Sequence, residues 1–429
     1  MSDSLIPLLI ALVVSASIQL VLVAGFVARL RGCTSKKQAR KYIVKSDEAT
    51  ALPALVVLCL RGGDPFLGQC IQGLVSQDYP EFEICFVVDS AQDPAISVLQ
   101  NELTKYPDFK RFEIQILSDP LTTCSLKCSS LIQAIGPRVD SQGFVAQLDA
   151  DTIPHRTWLS ELASALQDPE VGAATGNRWY MPETISLGNM TRYVWNGAAV
   201  VQMYWYGIAW GGTLAIKFDS IRRAHLLDRW RNALCEDTML SRQLKSVRQK
   251  VAFVPSLMMV NREDCDLASF FKWVQRQLLT ARLYHPLWFA VVGHGVSSAL
   301  LLVWGWTTCV VYVLMGYWGS ALASLMAMLA FQTFLSLMLP WMDSSVRAIV
   351  NGRGEPADWH RNLRWWQLGW YVWTTQCIYT AALVRCLRMT RVEWRGIEYD
   401  ITGPFDIRMQ GYHPFRSDVH GSGCRKHSL

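Results

Sequence analysis

The apolar positions of this chain fall into three territories with different rhythms. From Leu5 to Val27 no charged side chain occurs, and at about 1.5 Å of rise per residue such a helix crosses ~30 Å of hydrocarbon. From Leu52 to about Asp266 the apolar runs are short and rich in Val, Ile, Leu and Phe, at Leu55 to Leu60, Glu83 to Val88, Glu113 to Leu117 and Phe144 to Leu148. Helix-like stretches such as Pro65 to Ser76 and Pro94 to Tyr106 lie between them. This alternation predicts an α/β domain with a largely parallel sheet, whose ligands belong at the carboxyl ends of the strands. Beyond Asp266 the long runs return. Trp288 to Met315 and Gly319 to Trp341 lack Asp, Glu, Lys and Arg, Leu368 to Val384 is a shorter candidate, and His294 is the one histidine within these runs.

The charges flanking these runs orient them. Arg29, Arg31, Lys36, Lys37, Arg40 and Lys41 follow the first run, whereas a cleaved leader carries its positive charge before its apolar segment. The run therefore predicts a retained anchor with everything after it on the cytoplasmic side. Arg347, Arg353, Arg361 and Arg364 place the loop before the last run on the same side, and Arg385, Arg388, Arg391 and Arg395 do so for the tail. Four full crossings would put that tail outside, so one C-terminal segment is expected to be re-entrant or interfacial, Leu368 to Val384 foremost. The resulting organisation is an anchor at 1–30, a basic linker at 31–51, a catalytic domain at 52–266, an amphipathic segment at 267–287, membrane or re-entrant segments at 288–387 and a cytoplasmic tail at 388–429.

Composition agrees with a multi-pass membrane protein. Half the residues are hydrophobic (51%) and 18% are charged, below the roughly 25% of a soluble domain. Many of the 18 tryptophans sit near the ends of apolar runs, where an indole with one wet edge is favoured at a membrane interface. The net charge of +6 is not gathered into a stripe that would bind nucleic acid and fits basic loops on anionic headgroups. The 12 cysteines are scattered without zinc-ligand spacing and read as reduced thiols packed as small apolar residues.

Against this frame the acids stand where strands end. Asp89 closes the run Glu83 to Val88, a position from which a carboxylate can accept hydrogen bonds from a nucleobase or ribose, although Asp is common in plain turns. Asp149 and Asp151 follow the run Gly143 to Leu148, setting two hard oxygen ligands beside one cleft for Mg²⁺ or Mn²⁺. Glu236 and Asp237 sit between helix-like stretches; the helix dipole alone favours acids there, and Asp237 is also the candidate general base toward an acceptor hydroxyl. In Trp273-Val-Gln-Arg276-Gln277, Arg276 is a candidate clamp for a diphosphate and Trp273 a stacking surface or an interfacial anchor. Gly211-Gly212 permits close backbone approach, a plain turn fitting equally, and Lys127 is a candidate phosphate contact.

The order Asp89, Asp149-Ala-Asp151, Glu236-Asp237 and an Arg-bearing motif beside membrane segments resembles family 2 glycosyltransferases of the GT-A fold. Arg61-Gly-Gly-Asp64-Pro65, Gln77-Asp78-Tyr79-Pro80, Val88-Asp89, Asp93-Pro94-Ala95-Ile96 and the tail segment Trp394-Arg395-Gly396-Ile-Glu-Tyr399 are similar to ceramide glucosyltransferases, so that the likeness spans nearly the whole chain. The resemblance implies a GT-A (Rossmann-like) domain between an N-terminal transmembrane helix and a C-terminal cluster of transmembrane or interfacial helices. It also implies a UDP-sugar donor, a divalent cation, a membrane lipid acceptor and inversion at the anomeric carbon. Under it Asp89, Lys127, Asp149, Arg276 and Gln277 face the donor, Gly212, Glu236 and Trp273 the acceptor, Asp149 and Asp151 the metal, and Asp237 is the base. The family motif has Gln or Arg, two residues, then Arg-Trp; here the Arg is kept and the Trp displaced. A processive polysaccharide synthase of the same fold, or a scaffold with a degenerate transferase domain, are the rival readings.

Overall fold

The computed structural model describes residues 5–33, 51–357, 363 and 365–415. The linker bases Lys36, Lys37, Arg40 and Lys41, the loop residues Arg361 and Arg364, and the end from Gly421 lie outside the described residues. The chain opens with helix α1 (Leu5–Cys33). Next come β1 (Ala54–Leu60), α2 (Leu67–Val75), β2 (Phe82–Val88), α3 (Pro94–Leu103), β3 (Phe112–Ile116), α4 (Leu126–Ile135) and β4 (Phe144–Leu148). After α5 (Trp158–Leu166) and β5 (Val171–Tyr180) the chain forms the long helix α6 (Leu187–Tyr206), then β6 (Thr213–Lys217). Three short helices, α7 (Phe218–Arg223), α8 (Leu226–Trp230) and α9 (Leu240–Ser246), precede β7 (Lys250–Asn261).

These strands make one seven-stranded sheet in the order β3-β2-β1-β4-β6-β5-β7. β1, β2, β3 and β4 run parallel, as their helical crossovers require, while β6 is antiparallel to both β4 and β5. Val56 and Leu58 of β1, Ile84, Phe86 and Val88 of β2 and Phe144 of β4 are buried in one face of the sheet, and Val57, Cys85, Val87 and Val145 in the other. Burial on both faces is why these runs are continuously apolar rather than alternating; each fully buried Val or Leu contributes about 1.5–3 kcal/mol. Local signals fix the helix starts. Asp93 caps α3 by accepting from the Ala95 N–H at 2.8 Å, with Pro94 in the first turn. Its carboxylate also accepts from the N–H of Gly62, which sits at φ +84° where a side chain is disfavoured.

The second part is helical. α10 (Leu267–Tyr284), capped by Asp266, leads into α11 (Trp288–Leu314), α12 (Trp318–Gly352) and α13 (Trp365–Leu387). Among the described residues three helices, α1, α11 and α12, are long and apolar enough to cross a membrane. They pack on one another, and their outer faces expose Ile10, Val14, Val21, Leu300, Val303, Leu314 and Leu322. The C-terminal ends of α1 and α12 meet at the seven-stranded sheet: Arg29 donates to the Phe253 carbonyl, and Arg353 to those of Ser256 and Met258 on β7. α13 is unbroken, and both its ends return to that side. Leu368 near its start packs in one cluster with Met258 of β7 and Trp179 of β5, and at its end Arg282 of α10 donates to the Cys386 and Met389 carbonyls. Trp366, Trp370 and Trp373, spaced along one helical face, are exposed. A small antiparallel sheet, β8 (Arg391–Trp394), β9 (Ile397–Gly403) and β10 (Asp406–Met409), then folds back onto the domain, where the Tyr399 hydroxyl accepts from the Leu126 N–H.

Candidate active site

Adjacent parallel strands deliver the acids to one edge of the sheet. β1 ends at Leu60 and is followed by Arg61 and Asp64, β2 by Asp89, and β4 by Asp149 and Asp151. Lys127, in the first turn of α4, ion-pairs with Asp149 at 2.8 Å and with Glu236 at 2.9 Å, tying β4 to the loop that carries Glu236-Asp237. Asp237 accepts from the Gly211 N–H at 2.8 Å on one oxygen, and from the N–H and hydroxyl of Thr238 on the other. A side chain at Gly211 would run into Glu236, Lys127 and Asp237, and one at Gly212 into Trp210 and Asp149. The glycine pair is thus dictated by the closeness of this backbone to the carboxylates.

Electrostatics divides the site. Burial and then the neighbouring charges of Asp149, Asp64 and Glu263 push the Asp151 carboxyl up to about 7. Burial also works to raise Asp149, but Lys127 beside it, with Arg178 and Arg395 beyond, holds it below its ordinary value. Glu236 is pushed up to about 7 by burial, against the pull of Lys127 and with the push of Asp237. On the opposite wall stand three guanidinium groups. Arg276 is lowered to about 10 by burial and then by Arg395 and Arg178. Cations forced together in this way are poised to take up an anion.

The aromatic residues hold these cations in place. Arg178 of β5 lies 4.7 Å over the Trp273 ring and donates to Gln277, while Arg276 lies 5.2 Å from the Trp394 ring. Trp273 itself is buried, edge-on to Tyr180 and Trp195. Arg395 stands at φ +51° in the tight turn between β8 and β9, donates to the Arg61 carbonyl and reaches within 3.6 Å of Asp64.

A single cavity of about 420 Å³ joins these groups. Lys127, Asp149, Asp151, Glu236, Asp237, Trp273, Arg276 and Gln277 all line it, and it continues past α6 and α10 to Leu22, Phe331, Leu335 and Leu339 of the apolar helices. Gly212 lies behind the wall against Asp149. Asp89 stands apart from the cavity wall: its carboxylate takes the Arg61 guanidinium at 2.6 Å and the Phe415 N–H at 2.9 Å, and its other oxygen is buried without a partner. Arg178 and Arg395 were not singled out as site residues from the sequence. Arg178 sits in a strand that no short apolar run announced, and Arg395 gave only a likeness of the tail.

Strand-end acids, a mixed GT-A-type sheet and helices fit to cross a bilayer define the class of this protein: a GT-A glycosyltransferase built with membrane segments. Glycosyl transferase family 21 matches residues 17–404, and the chain belongs to that family. Two ceramide glucosyltransferases show local similarity. One, from Komagataella phaffii (strain GS115 / ATCC 20864), is 44% identical over 48 residues, 11% of this chain and 9% of that protein. The other, from Candida albicans (strain SC5314 / ATCC MYA-2876), is 30% identical over 103 residues, 23% of this chain and 18% of that protein. The matched segments therefore span less than a fifth of either relative. Among solved structures, the mannosyltransferase PcManGT from Pyrobaculum calidifontis in complex with GDP-Man and Mn²⁺ is similar at 15% identity and a TM-score of 0.43, over 89% of this chain and 99% of that one.

Proposed function

We propose that this glycosyltransferase moves a hexose, glucose in the first instance, from a UDP-sugar to the hydroxyl of a membrane lipid of the ceramide kind, with inversion at the anomeric carbon. The observation that carries the proposal is the cavity, which begins among carboxylates and guanidinium groups and ends among aliphatic side chains of α1 and α12. A lipid can remain largely embedded while its headgroup reaches the acids, whereas drawing its chain into water would cost about 0.8 kcal/mol per CH₂.

In this reading Arg178, Arg276 and Arg395 face the diphosphate, with Lys127 at its edge and Gln277 holding Arg178 in place. Charge developing on the departing UDP meets fixed positive groups that need no reorganisation. Asp237, fixed by Gly211 and Thr238, takes the proton from the lipid hydroxyl, with Glu236 and Gly212 shaping the acceptor side. One base suffices for inversion. Asp89 supports the nucleoside end indirectly, by holding Arg61, which lines the cavity.

A divalent cation fits the donor set. Asp151 is forced upward by burial and then by Asp149, Asp64 and Glu263, a crowding of carboxylates that a cation would relieve. Among the described residues no three acidic, His or Cys side chains form a ready-made cage. That suits an Mg²⁺-like or Mn²⁺-like ion held by one or two protein carboxylates and completed by substrate phosphate and water. Asp149 and Asp151 would hold it, and when bound it neutralises diphosphate charge.

The same reading sets the protein in the bilayer with α1, α11 and α12 crossing and α13 lying along the cytoplasmic surface, its tryptophans in the headgroup layer. Three crossings keep the catalytic domain and the tail on one side. The deciding experiment incubates full-length protein in nanodiscs with labelled UDP-glucose or UDP-galactose and ceramide. A metal-dependent monohexosyl lipid is the expected product; a long polymer, or binding without turnover, would overturn the proposal.

A further inference from the structure

Behind the acids lies a buried polar set that the chemistry above does not use. Asn261 closes β7 and pairs in register with Tyr180, the last residue of β5; its carbonyl accepts from the Met181 N–H at 2.8 Å. Its side chain is buried and joins two segments. Nδ2 donates to Asp151 Oδ2 at 3.2 Å, and Oδ1 accepts from the Glu263 N–H at 3.0 Å. A backbone N–H can only donate, so it fixes which end of the amide is oxygen, and the NH₂ must face the carboxylate. β6 and β5 separate β4 from β7 in the sheet, so the contact is made by the loop that carries Asp151 beyond β4.

The turn after Asn261 is clamped in its own right. The Glu263 carboxylate takes the guanidinium of Arg192 on α6 at 3.1 Å, the Glu263 carbonyl accepts from the same group, and Arg192 lies 4.1 Å over the Tyr180 ring. One turn earlier on α6, Asn189 donates to Asp264 at 2.6 Å and accepts from the Cys265 N–H at 2.6 Å. Arg192 and Glu263 are both buried. Such a pair adds little stability over apolar packing; what it supplies here is a fixed turn. Asp151 lines the cavity and Asn261 stands behind it, outside the lining. Given the cation reading above, on which this rests, we infer that Asn261 is a positioning residue for Asp151: its amide holds the carboxylate toward the cation shared with the diphosphate, and the Arg192–Glu263 pair keeps that amide in place.

The test is a double-mutant cycle on the full-length protein in nanodiscs, with UDP binding measured by calorimetry across a range of Mn²⁺ concentrations. In Asn261→Leu the Mn²⁺ concentration that half-saturates UDP binding should rise by about tenfold, the low end of what losing the partner of a metal-ligating side chain costs. UDP affinity without metal should stay unchanged. In Asp151→Asn, which already lacks the carboxylate, adding Asn261→Leu should raise that concentration no further, because the amide acts only through Asp151. A wild-type Mn²⁺ requirement in Asn261→Leu, or an effect that adds in full to that of Asp151→Asn, would overturn the assignment. Asn261→Asp keeps an acceptor for the Glu263 N–H, so it decides the matter if the leucine variant misfolds. It sets a second acid against Asp151, and UDP with Mn²⁺ should raise its melting temperature further than that of the wild type; an equal rise would overturn the assignment as well. Wild-type UDP binding indifferent to Mn²⁺ would sink the cation reading itself, and the role of Asn261 with it.

Discussion

Lys127 shows how one side chain organises the site. Partly buried between Asp149 and Glu236, it spans two chain segments far apart in sequence, and against the opposing effect of desolvation those carboxylates hold its ammonium well above its ordinary value. Removing it would leave the buried Glu236 facing the partly exposed Asp149, so Lys127→Met should lower both transfer and melting temperature, by less than the ~3–5 kcal/mol that breaking a fully buried pair costs. Asp237→Asn should leave UDP affinity near that of the wild type while slowing transfer by about 10²–10⁴-fold, the usual contribution of a positioned general base. Lost UDP binding in that variant would argue against the assignment. Asp151→Asn should weaken the dependence of UDP binding on Mn²⁺, read by calorimetry with and without the ion; an unchanged metal titration would remove Asp151 from the ligand set.

Among the elements, the tail sheet β8–β10 carries more of the site than its distance from the strand-end acids suggests. Its first turn inserts Arg395 and Trp394 beside Arg276, and the segment after it places the Tyr412 hydroxyl on the Asp89 carbonyl and the Phe415 N–H on the Asp89 carboxylate. Arg395→Ala should therefore weaken UDP-sugar binding by about tenfold, the scale of one charge-assisted contact at ~1.4 kcal/mol, with little change in the circular dichroism spectrum. Unaltered donor affinity would mean that the turn only covers the domain. The elements also show where chain pattern was readable. The runs at Leu55, Glu83, Glu113 and Phe144 became β1 to β4 with ends within about one residue; burial on both faces leaves β1, β2 and β4 a mostly apolar signature, while the edge strand β3 alternates Phe and Ile with Glu and Gln. β5, β6 and β7 gave no comparable signal: Val171–Tyr180 mixes Gly, Thr, Asn and Arg, because its end faces the cavity. The helix-like stretch before Glu236 is made of α7 and α8, which part at His225, held at φ +49°.

For the whole molecule, α13 has both ends packed on the domain side. The proposed arrangement, with α1, α11 and α12 crossing, would account for the odd count of apolar runs and bring the tail back beside the sheet. Single cysteines introduced at Tyr317, in the turn between α11 and α12, and at Phe405 in the tail should react with a membrane-impermeant maleimide from opposite sides of sealed vesicles. Labelling from the same side would exclude three crossings. What the sequence determined by itself was whatever local chemistry enforces: long apolar helices, strands buried on both faces, and acids at strand ends. These signals are contiguous in the chain, so they need no knowledge of partners. Only the tertiary structure decided that Arg178 and Arg395 face Arg276, that the tail closes over Asp89, and that Asn261 meets Asp151. Each of those contacts joins segments whose own patterns are ordinary, and it acquires chemistry only when packing brings the side chains within reach of one another.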